Sequence, residues 1–299
     1  MYINTFSTAM QKRFGKKIYR LSLDGGMTCP NRDGTLGYGG CIFCSASGGG
    51  EFAQRQCESI SDQITGAIDM LGKKAVGRGY VAYFQSFSNT YAPVSRLREL
   101  FMPAINDSRI EALSIATRPD CLPREVLMLI SELCNIKPVW VELGLQTMHE
   151  STAQYIRRGY PLSVYEKAAA NLKSVGAEVI THLIIGLPGE DEFMMVESAK
   201  YAGIVSDGIK LHLLHVLEGT DLCEEYKKGA FNVLSLEEYA DILIECIKYI
   251  PPEVVLHRIT GDGDKRTLVA PMWSADKKRV MGYLQRRFSD EDLFQGSKL

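Results

Sequence analysis

The chain has 299 residues, of which 45% are hydrophobic and 23% charged, values that exclude a disordered, collagen-like or disulfide-scaffold polypeptide. A net charge of −2 gives no global electrostatic reason to bind DNA, RNA or an anionic membrane, so any polyanion has to be met by local patches. No apolar run approaches the ~20 residues of a membrane span and residues 1–20 lack an apolar signal core, so the reading is a cytoplasmic protein without a membrane partner.

Along the chain, strand-like runs at 17–24, 80–85, 110–117, 139–146, 179–187, 208–217 and 254–260 alternate with helical patterns at 59–71, 94–105, 123–134, 163–175, 193–205 and 236–250. Ser163 ahead of Glu166 and Ser235 ahead of Glu238 have the spacing of a capping box. Strict alternation predicts a parallel sheet with helical crossovers, either doubly wound or curled into a barrel. Parity separates the two. In the run 139–146, Glu142, Gly144 and Gln146 share one face, and Val141, Leu143 and Leu145 the other. A doubly wound sheet would bury Glu142 and Gln146 unpaired beneath helices, which is costly. A barrel with a polar interior avoids that cost. The same parity groups Tyr83 with Gln85, Ser114 with Ala116 and Arg118, His182 with Gly186, and Lys210 with His212. The fold class is therefore α/β, a partial (β/α)6 TIM-type barrel over residues 1–250. An extension, 251–299, adds a strand and a last helix packed on the barrel. Active sites of such barrels lie at the C-terminal ends of the strands.

The first strand run leads into Cys29-Pro-Asn-Arg-Asp-Gly-Thr-Leu-Gly-Tyr-Gly-Gly-Cys41-Ile-Phe-Cys44. Eight cysteines in a chain of this size are too sparse for a secreted disulfide framework, so in a reducing compartment they are thiols or metal ligands. Thiolates held together repel one another unless a metal takes up the charge. Three readings stay open on the residues alone: unconnected buried thiols, a structural zinc completed by Cys57, or an iron–sulfur cluster held by three cysteines with one iron open. Failing the zinc reading, Cys57 joins Cys134, Cys223 and Cys246, which fall in helical or loop stretches and read as packing.

Further segments stand in order at strand ends: Tyr-Phe-Gln-Ser-Phe-Ser-Asn-Thr-Tyr at 83–91, Thr-Arg-Pro-Asp-Cys-Leu-Pro at 117–123, Glu-Leu-Gly-Leu-Gln at 142–146, His-Leu-Ile-Ile-Gly-Leu-Pro-Gly-Glu at 182–190 and His-Arg-Ile-Thr-Gly-Asp-Gly at 257–263. With the cysteine segment, they give a chain that resembles the radical S-adenosylmethionine (SAM) superfamily over nearly its whole length. The likeness is to the long-spaced, Elongator-like branch, and within it to the small bacterial YhcC/YtqA-like proteins. The resemblance implies a barrel of radical SAM type with an N-terminal cluster-binding loop. It also implies a [4Fe-4S] cluster on Cys29, Cys41 and Cys44, with SAM on the open iron, and reductive cleavage of SAM to a 5′-deoxyadenosyl radical.

By the same resemblance, Phe43 is similar to the aromatic position whose backbone meets adenine. Gln85 and Ser86 stand where relatives carry a Gly-Gly-Glu-type segment, and Gly-Gly-Gly-Glu at 48–51 precedes that strand and reads as a loop. Ala116 stands where related enzymes carry a glutamate. Gln146 and Arg158 look like polar contacts to SAM, His182 like a contact to its ribose, and Gly186 like a turn residue beside adenine. On the substrate side the candidates are Lys210, His212 and Arg258, with Cys121 as a reducing or thiyl-forming residue. His215 and the turn 261–266 lie nearby in sequence. His212 and His215 differ in parity, so both face the interior only if the strand ends before 215. Short basic groups, at Lys12 to Arg20, Lys73 to Arg78, Arg157 and Arg158, Lys277 to Arg279, and Arg286 and Arg287, could track an RNA backbone if they share one rim.

The implied function is a radical SAM enzyme modifying the C5 side chain of a tRNA wobble uridine, with Arg258 or Lys210 holding a carboxylate of that side chain. Its partners would be tRNA and an electron donor such as flavodoxin or ferredoxin, with no DNA. A small-metabolite or protein substrate is the alternative, and a non-enzymatic, metal-binding RNA-associated protein a third. Neither an acetyltransferase-like domain nor a second cysteine triad is expected in the chain.

Overall fold

The computed structural model describes residues 2–49, 59–261 and 263–299, so Cys57, residues 50 and 51 of the glycine-rich loop and Asp262 lie outside the described residues. Seven strands form one parallel sheet in chain order: β1 (Ile18–Leu23), β2 (Gly79–Phe84), β3 (Ile110–Thr117), β4 (Val139–Gln146), β5 (Glu178–Ile185), β6 (Gly208–Leu213) and, after the short β7 (Val216–Leu217), β8 (Val255–Arg258). β7 pairs instead with β9 (Leu268–Ala270), antiparallel, in a separate two-stranded sheet. The sheet is the curled, open half-barrel expected from parity, and β8 from the tail completes it beside β6.

Each crossover is helical: α2 (Ile60–Leu71), α3 (Val94–Asn106), α4 (Arg124–Cys134), α6 (Leu162–Ser174), α7 (Glu192–Val205) and α9 (Leu236–Lys248), with α1 (Phe6–Phe14) before the sheet, α5 (Glu150–Tyr155) and α8 (Asp221–Lys227) in loops, and α10 (Lys277–Asp290) at the end. The crossover helices cover the outer face, where Leu21, Phe84, Leu113, Ile115, Leu143, Val179 and Leu211 are buried with Leu97, Leu129, Leu172 and Leu243. Ser235 and Glu238 form the expected capping box at the start of α9. Ser163 does not cap α6. Pro161, with its φ already fixed, precedes the first helical residue, Leu162, and Ser163 is left inside the first turn.

The run 208–217 is not one strand. Past Leu214, whose N–H still donates to the Ile185 carbonyl, the backbone pairs elsewhere: Glu218 donates to the carbonyl of Thr267, and the His215 ring packs against Gly261 and Gly263. A side chain at Gly261 would begin 2.4 Å from that imidazole. Gly261 and Gly263 therefore make the seat for His215.

Sequence periodicity missed α1, whose moderately polar nine residues carry Phe6, Ala9, Met10 and Phe14 against the lower barrel interior. There they meet Ile18, Val81, Ala112, Trp140 and Ile180, and Phe6 stacks edge-on to Trp140 with centroids 5.9 Å apart. The N-terminal helix thus plugs the bottom of the barrel and leaves its top open. No helix among the described residues is long and apolar enough to cross a membrane.

Gln295 ties the two ends of the chain together. Its fully buried amide donates to the carbonyls of Pro251 and Val254 at 2.7 and 2.8 Å and accepts from the Asn4 N–H at 2.9 Å. Truncation to alanine would take the partner from three buried or half-buried backbone groups, so Gln295→Ala should lower stability by about 2 kcal/mol. The check is a lower urea midpoint with an unchanged m-value, and an unchanged midpoint would contradict it.

Candidate functional site

A cavity of about 340 Å³ opens at the C-terminal ends of the strands. The loop 29–49 after β1 forms one wall of its mouth and contributes Cys29, Arg32, Gly40, Cys41, Phe43 and Cys44. The loop is held by its own backbone: the Arg32 and Asp33 N–H groups donate to the Cys29 carbonyl, Gly40 donates to Asn31, and Cys44 to Cys41. The Asn31 amide donates to the Arg157 carbonyl at 2.8 Å and lies 3.5 Å from Cys41 Sγ.

Burial, reinforced by the neighbouring Cys44 and Cys29, pushes the Cys41 thiol up to about 11, against the opposing pull of Arg118. That mutual repulsion is removed when a metal takes the thiolate charge. Three soft sulfur donors on one wall fit an iron–sulfur cluster with an open iron. Among the described residues, no three His, Cys, Asp or Glu side chains are grouped as around a single metal ion.

Below the mouth, inward-facing side chains form a charged floor. Glu142 on β4 is completely buried and accepts hydrogen bonds from Ser114 Oγ at 2.8 Å and from Lys210 Nζ. His182 Nε2 lies 2.8 Å from the same carboxylate. Lys210 on β6 also donates to the Tyr83 hydroxyl at 3.1 Å, and its ammonium stands 4.5 Å from the Tyr83 ring centre. Burial raises the Glu142 carboxyl, but Lys210 and His182 outweigh it and hold the group well below the usual carboxylate range. Burial lowers Lys210 to about 7 against the opposing pull of Glu142, and the like charges of Arg20 and Arg258 add to the lowering. Burial and Lys210 hold His182 down at about 4. The polar face predicted for β4 is thus a paired interior, as a barrel allows and a doubly wound sheet does not.

His212 lies next to this floor, its ring 5.0 Å from that of His182. Its Nε2 is buried with no hydrogen-bond partner among the described residues, and burial together with His182 keeps the imidazole well below its usual value. Because β6 ends at Leu213, both His212 and His215 reach the cavity wall, as does Arg258.

Gln146 faces the cavity from a bulge in β4, with φ 67. A side chain at Gly144 would begin 2.9 Å from its amide nitrogen, so glycine there makes room for it. Gln85 also lines the wall, accepting from Ser22 Oγ and donating to the Gly49 carbonyl at 2.6 Å. Arg158 is buried, and its guanidinium donates to the carbonyls of Leu145, Thr147 and Tyr160 and to Glu150. Those bonds fix the loop after β4.

Ser86 is buried behind the wall. Gly186, at φ 92, is packed against Leu234 with its N–H on Met195 Sδ, and does not line the cavity. Cys121 is likewise outside it, its thiol beside Asp120 and its carbonyl accepting from Thr90. Among the basic groups, Arg20 reaches into the barrel onto His257, and Arg13, Lys16, Arg157 and Arg287 are paired with acidic side chains.

Sequence reasoning put Glu142 on the right face without giving it a task. The signal was present as opposite charges, Glu142 and Lys210, at inward positions of neighbouring parts of one barrel.

Comparison with known proteins agrees with this architecture. A family model described as the radical SAM superfamily matches residues 29–202, and one described as a radical SAM C-terminal domain matches 206–290. The uncharacterized protein YtqA of Bacillus subtilis is 42% identical over 294 residues, 98% of this chain and 91% of that protein. A tRNA uridine(34) acetyltransferase of Methanocaldococcus jannaschii is 32% identical over 190 residues, 62% of this chain but 34% of its own length. The solved structure of an archaeal Elp3 from Methanocaldococcus infernus superposes with a TM-score of 0.68 at 19% identity, covering 93% of this chain and 64% of that one.

Proposed function

Because this chain belongs to the radical SAM superfamily, whose members use a [4Fe-4S] cluster and SAM, we propose that it is a radical SAM enzyme acting on the C5 side chain of a tRNA wobble uridine. The observation that carries the chemical half is the convergence of Cys29, Cys41 and Cys44 on one wall of a cavity with a charged floor. The substrate half is supported by the relative that acts, by its name, on uridine 34 of tRNA.

Cys29, Cys41 and Cys44 would hold the cluster, which with SAM supplies a one-electron reductive cleavage to methionine and a 5′-deoxyadenosyl radical. Phe43 on the cysteine loop, Gln85 just after β2 and Gln146 at the end of β4 all line the cavity and are the groups we assign to SAM. Arg158 serves by fixing the backbone that carries Gln146. Lys210 is engaged by Glu142 and Tyr83, so its part is to hold the floor. His212 offers a neutral buried nitrogen to a substrate hydrogen bond, and Arg258 stands beside it as the cation for an acidic side chain. An apolar plug below and helices around the sheet keep solvent from the interior.

The test is 5′-deoxyadenosine formation by anaerobically reconstituted protein with SAM and a reductant, with and without undermodified tRNA. Cys41→Ala should abolish both the cluster absorbance and the product. Product that rises with tRNA, together with a mass change in the anticodon nucleoside, supports the full reading. Cysteine-dependent product indifferent to tRNA retains the radical chemistry and removes tRNA as the substrate.

A further inference from the structure

Arg32 lies in the long interval between the first two cysteines, and its contacts reach all three cysteine positions. Its backbone N–H donates to the Cys29 carbonyl at 2.8 Å. Its guanidinium donates from Nη2 to the carbonyls of Cys44 at 2.9 Å and Ser45 at 2.5 Å. Its Nε lies 3.0 Å from where a side chain at Gly40, next to Cys41, would begin. One nitrogen, Nη2, serves both adjacent carbonyls, and the planar guanidinium holds it there more rigidly than the flexible stem of a lysine holds its ammonium.

Phe87, in the segment after β2, braces this guanidinium. The Phe87 ring centre is 5.6 Å from the Arg32 guanidinium carbon, and the Phe87 N–H donates to the Gly48 carbonyl at 3.0 Å. The ring fills the space over Gly48, where a Cβ would stand 2.3 Å from it. Phe87 has φ 58, in the left-handed region that is costly for a bulky side chain and persists only where the surroundings over-determine it. Here they do: a hydrogen bond, a close-packed glycine and a stacked cation all act on the one residue.

We propose that Arg32, braced by the strained Phe87, is a positioning residue for the three cysteine thiolates. It sets their separation before any cluster is present and brings a permanent positive charge to the cluster's edge. The proposal rests on the reading of Cys29, Cys41 and Cys44 as cluster ligands. Residues that orient metal ligands from outside characteristically change metal affinity by about ten- to a hundredfold when lost, and hydrogen bonds and charge around a cluster tune its electronic state.

The experiment compares full-length wild-type protein, Arg32→Met, Arg32→Lys and Phe87→Gly after anaerobic reconstitution. The readouts are iron per chain, the rate of iron loss to a strong chelator, and the electron paramagnetic resonance spectrum of the reduced cluster. Wild type should hold about four irons per chain. Arg32→Met should lose iron about tenfold faster or more and show an altered spectrum, with Arg32→Lys closer to it than to wild type. Phe87→Gly tolerates the backbone angle and lacks the ring, so it should release iron severalfold faster without a folding defect.

Wild-type release and spectrum in Arg32→Met overturn the proposal. Should that variant not fold, wild-type release from Phe87→Gly overturns it instead. Failure of the wild-type chain to take up iron, or uptake unchanged by Cys41→Ala, would sink the ligand reading itself. A normal wild-type cluster with unaffected variants sinks only the part given to Arg32.

Discussion

Replacing Lys210 with methionine is expected to lower stability by about 3–5 kcal/mol, and replacing Glu142 with glutamine in the same chain to restore most of that loss. Glu142 has no solvent-exposed side-chain surface, and Lys210 is 2% exposed, so neither charge has water to fall back on. With Lys210 gone, the carboxylate keeps Ser114 and His182 as hydrogen-bond partners and Arg20 as a nearby charge, which is incomplete compensation for a lost contact ion pair. The group must then remain ionised at a desolvation cost or take up a proton. Removing both charges removes the penalty. Urea unfolding of the apo-protein at pH 7 measures this directly, and a Lys210→Met midpoint equal to wild type would mean that Arg20 replaces the lysine fully. The consequence for function follows from position. The pair spans β4 and β6 under the cavity, so the single variant should also disturb the wall that carries His182 and His212, whereas the double variant should keep its shape.

The parts of this molecule legible in the sequence are those governed by side-chain period. Alternation in the run 139–146 gave the curled sheet and the inward face that Glu142, Gly144 and Gln146 share, and the cysteine spacing gave the wall of the site. What escaped depends on contacts between segments distant in sequence. The α1 pattern is only weakly apolar, and its burial is decided by the hollow beneath Trp140 and Val81 that no local window contains. The end of β6 at Leu213 depends on where Thr267 offers a carbonyl to Glu218. Gly186 reads as a turn residue in either case, and only packing against Leu234 and Met195 takes it away from the cavity. Arg32 and Phe87 were visible as letters, but their contact at the cavity wall, and the left-handed angle at Phe87, are properties of the fold. Arg158 teaches the same point from the other side. Its spacing from Gln146 suggested a ligand contact; it lines the cavity, and its Nη1 also holds the Leu145 and Thr147 carbonyls on either side of Gln146.

Acid should weaken the barrel floor before it reaches the ordinary carboxylate range. His182 is held near 4 in the folded chain, by burial and by Lys210, against about 6.5 for a free imidazole. Between those values the unfolded chain binds a proton that the folded chain refuses, so stability rises with pH across the window. The contribution is fully present above pH 6.5 and is lost as pH falls toward 4; at 1.4 kcal/mol per pKa unit it amounts to about 3 kcal/mol. His212 and His257 are pushed well below their usual value, chiefly by burial, and add to the same slope. Glu142 acts in the same direction lower down: its carboxyl lies well below the usual range, so its contribution is present above about 4.5 and disappears as pH falls through the folded value. Lys210, at about 7 in the folded chain against 10.5 when free, adds its slope only above about pH 7, so urea midpoints taken from pH 7 down to 4.5 should decline from near 6.5. His182→Gln, which can still donate to Glu142 but cannot titrate, should decline less steeply over the upper part of that range. A variant curve parallel to wild type would assign the slope to the other two histidines and would mean that His182 is protonated as readily in the folded chain as in the unfolded one.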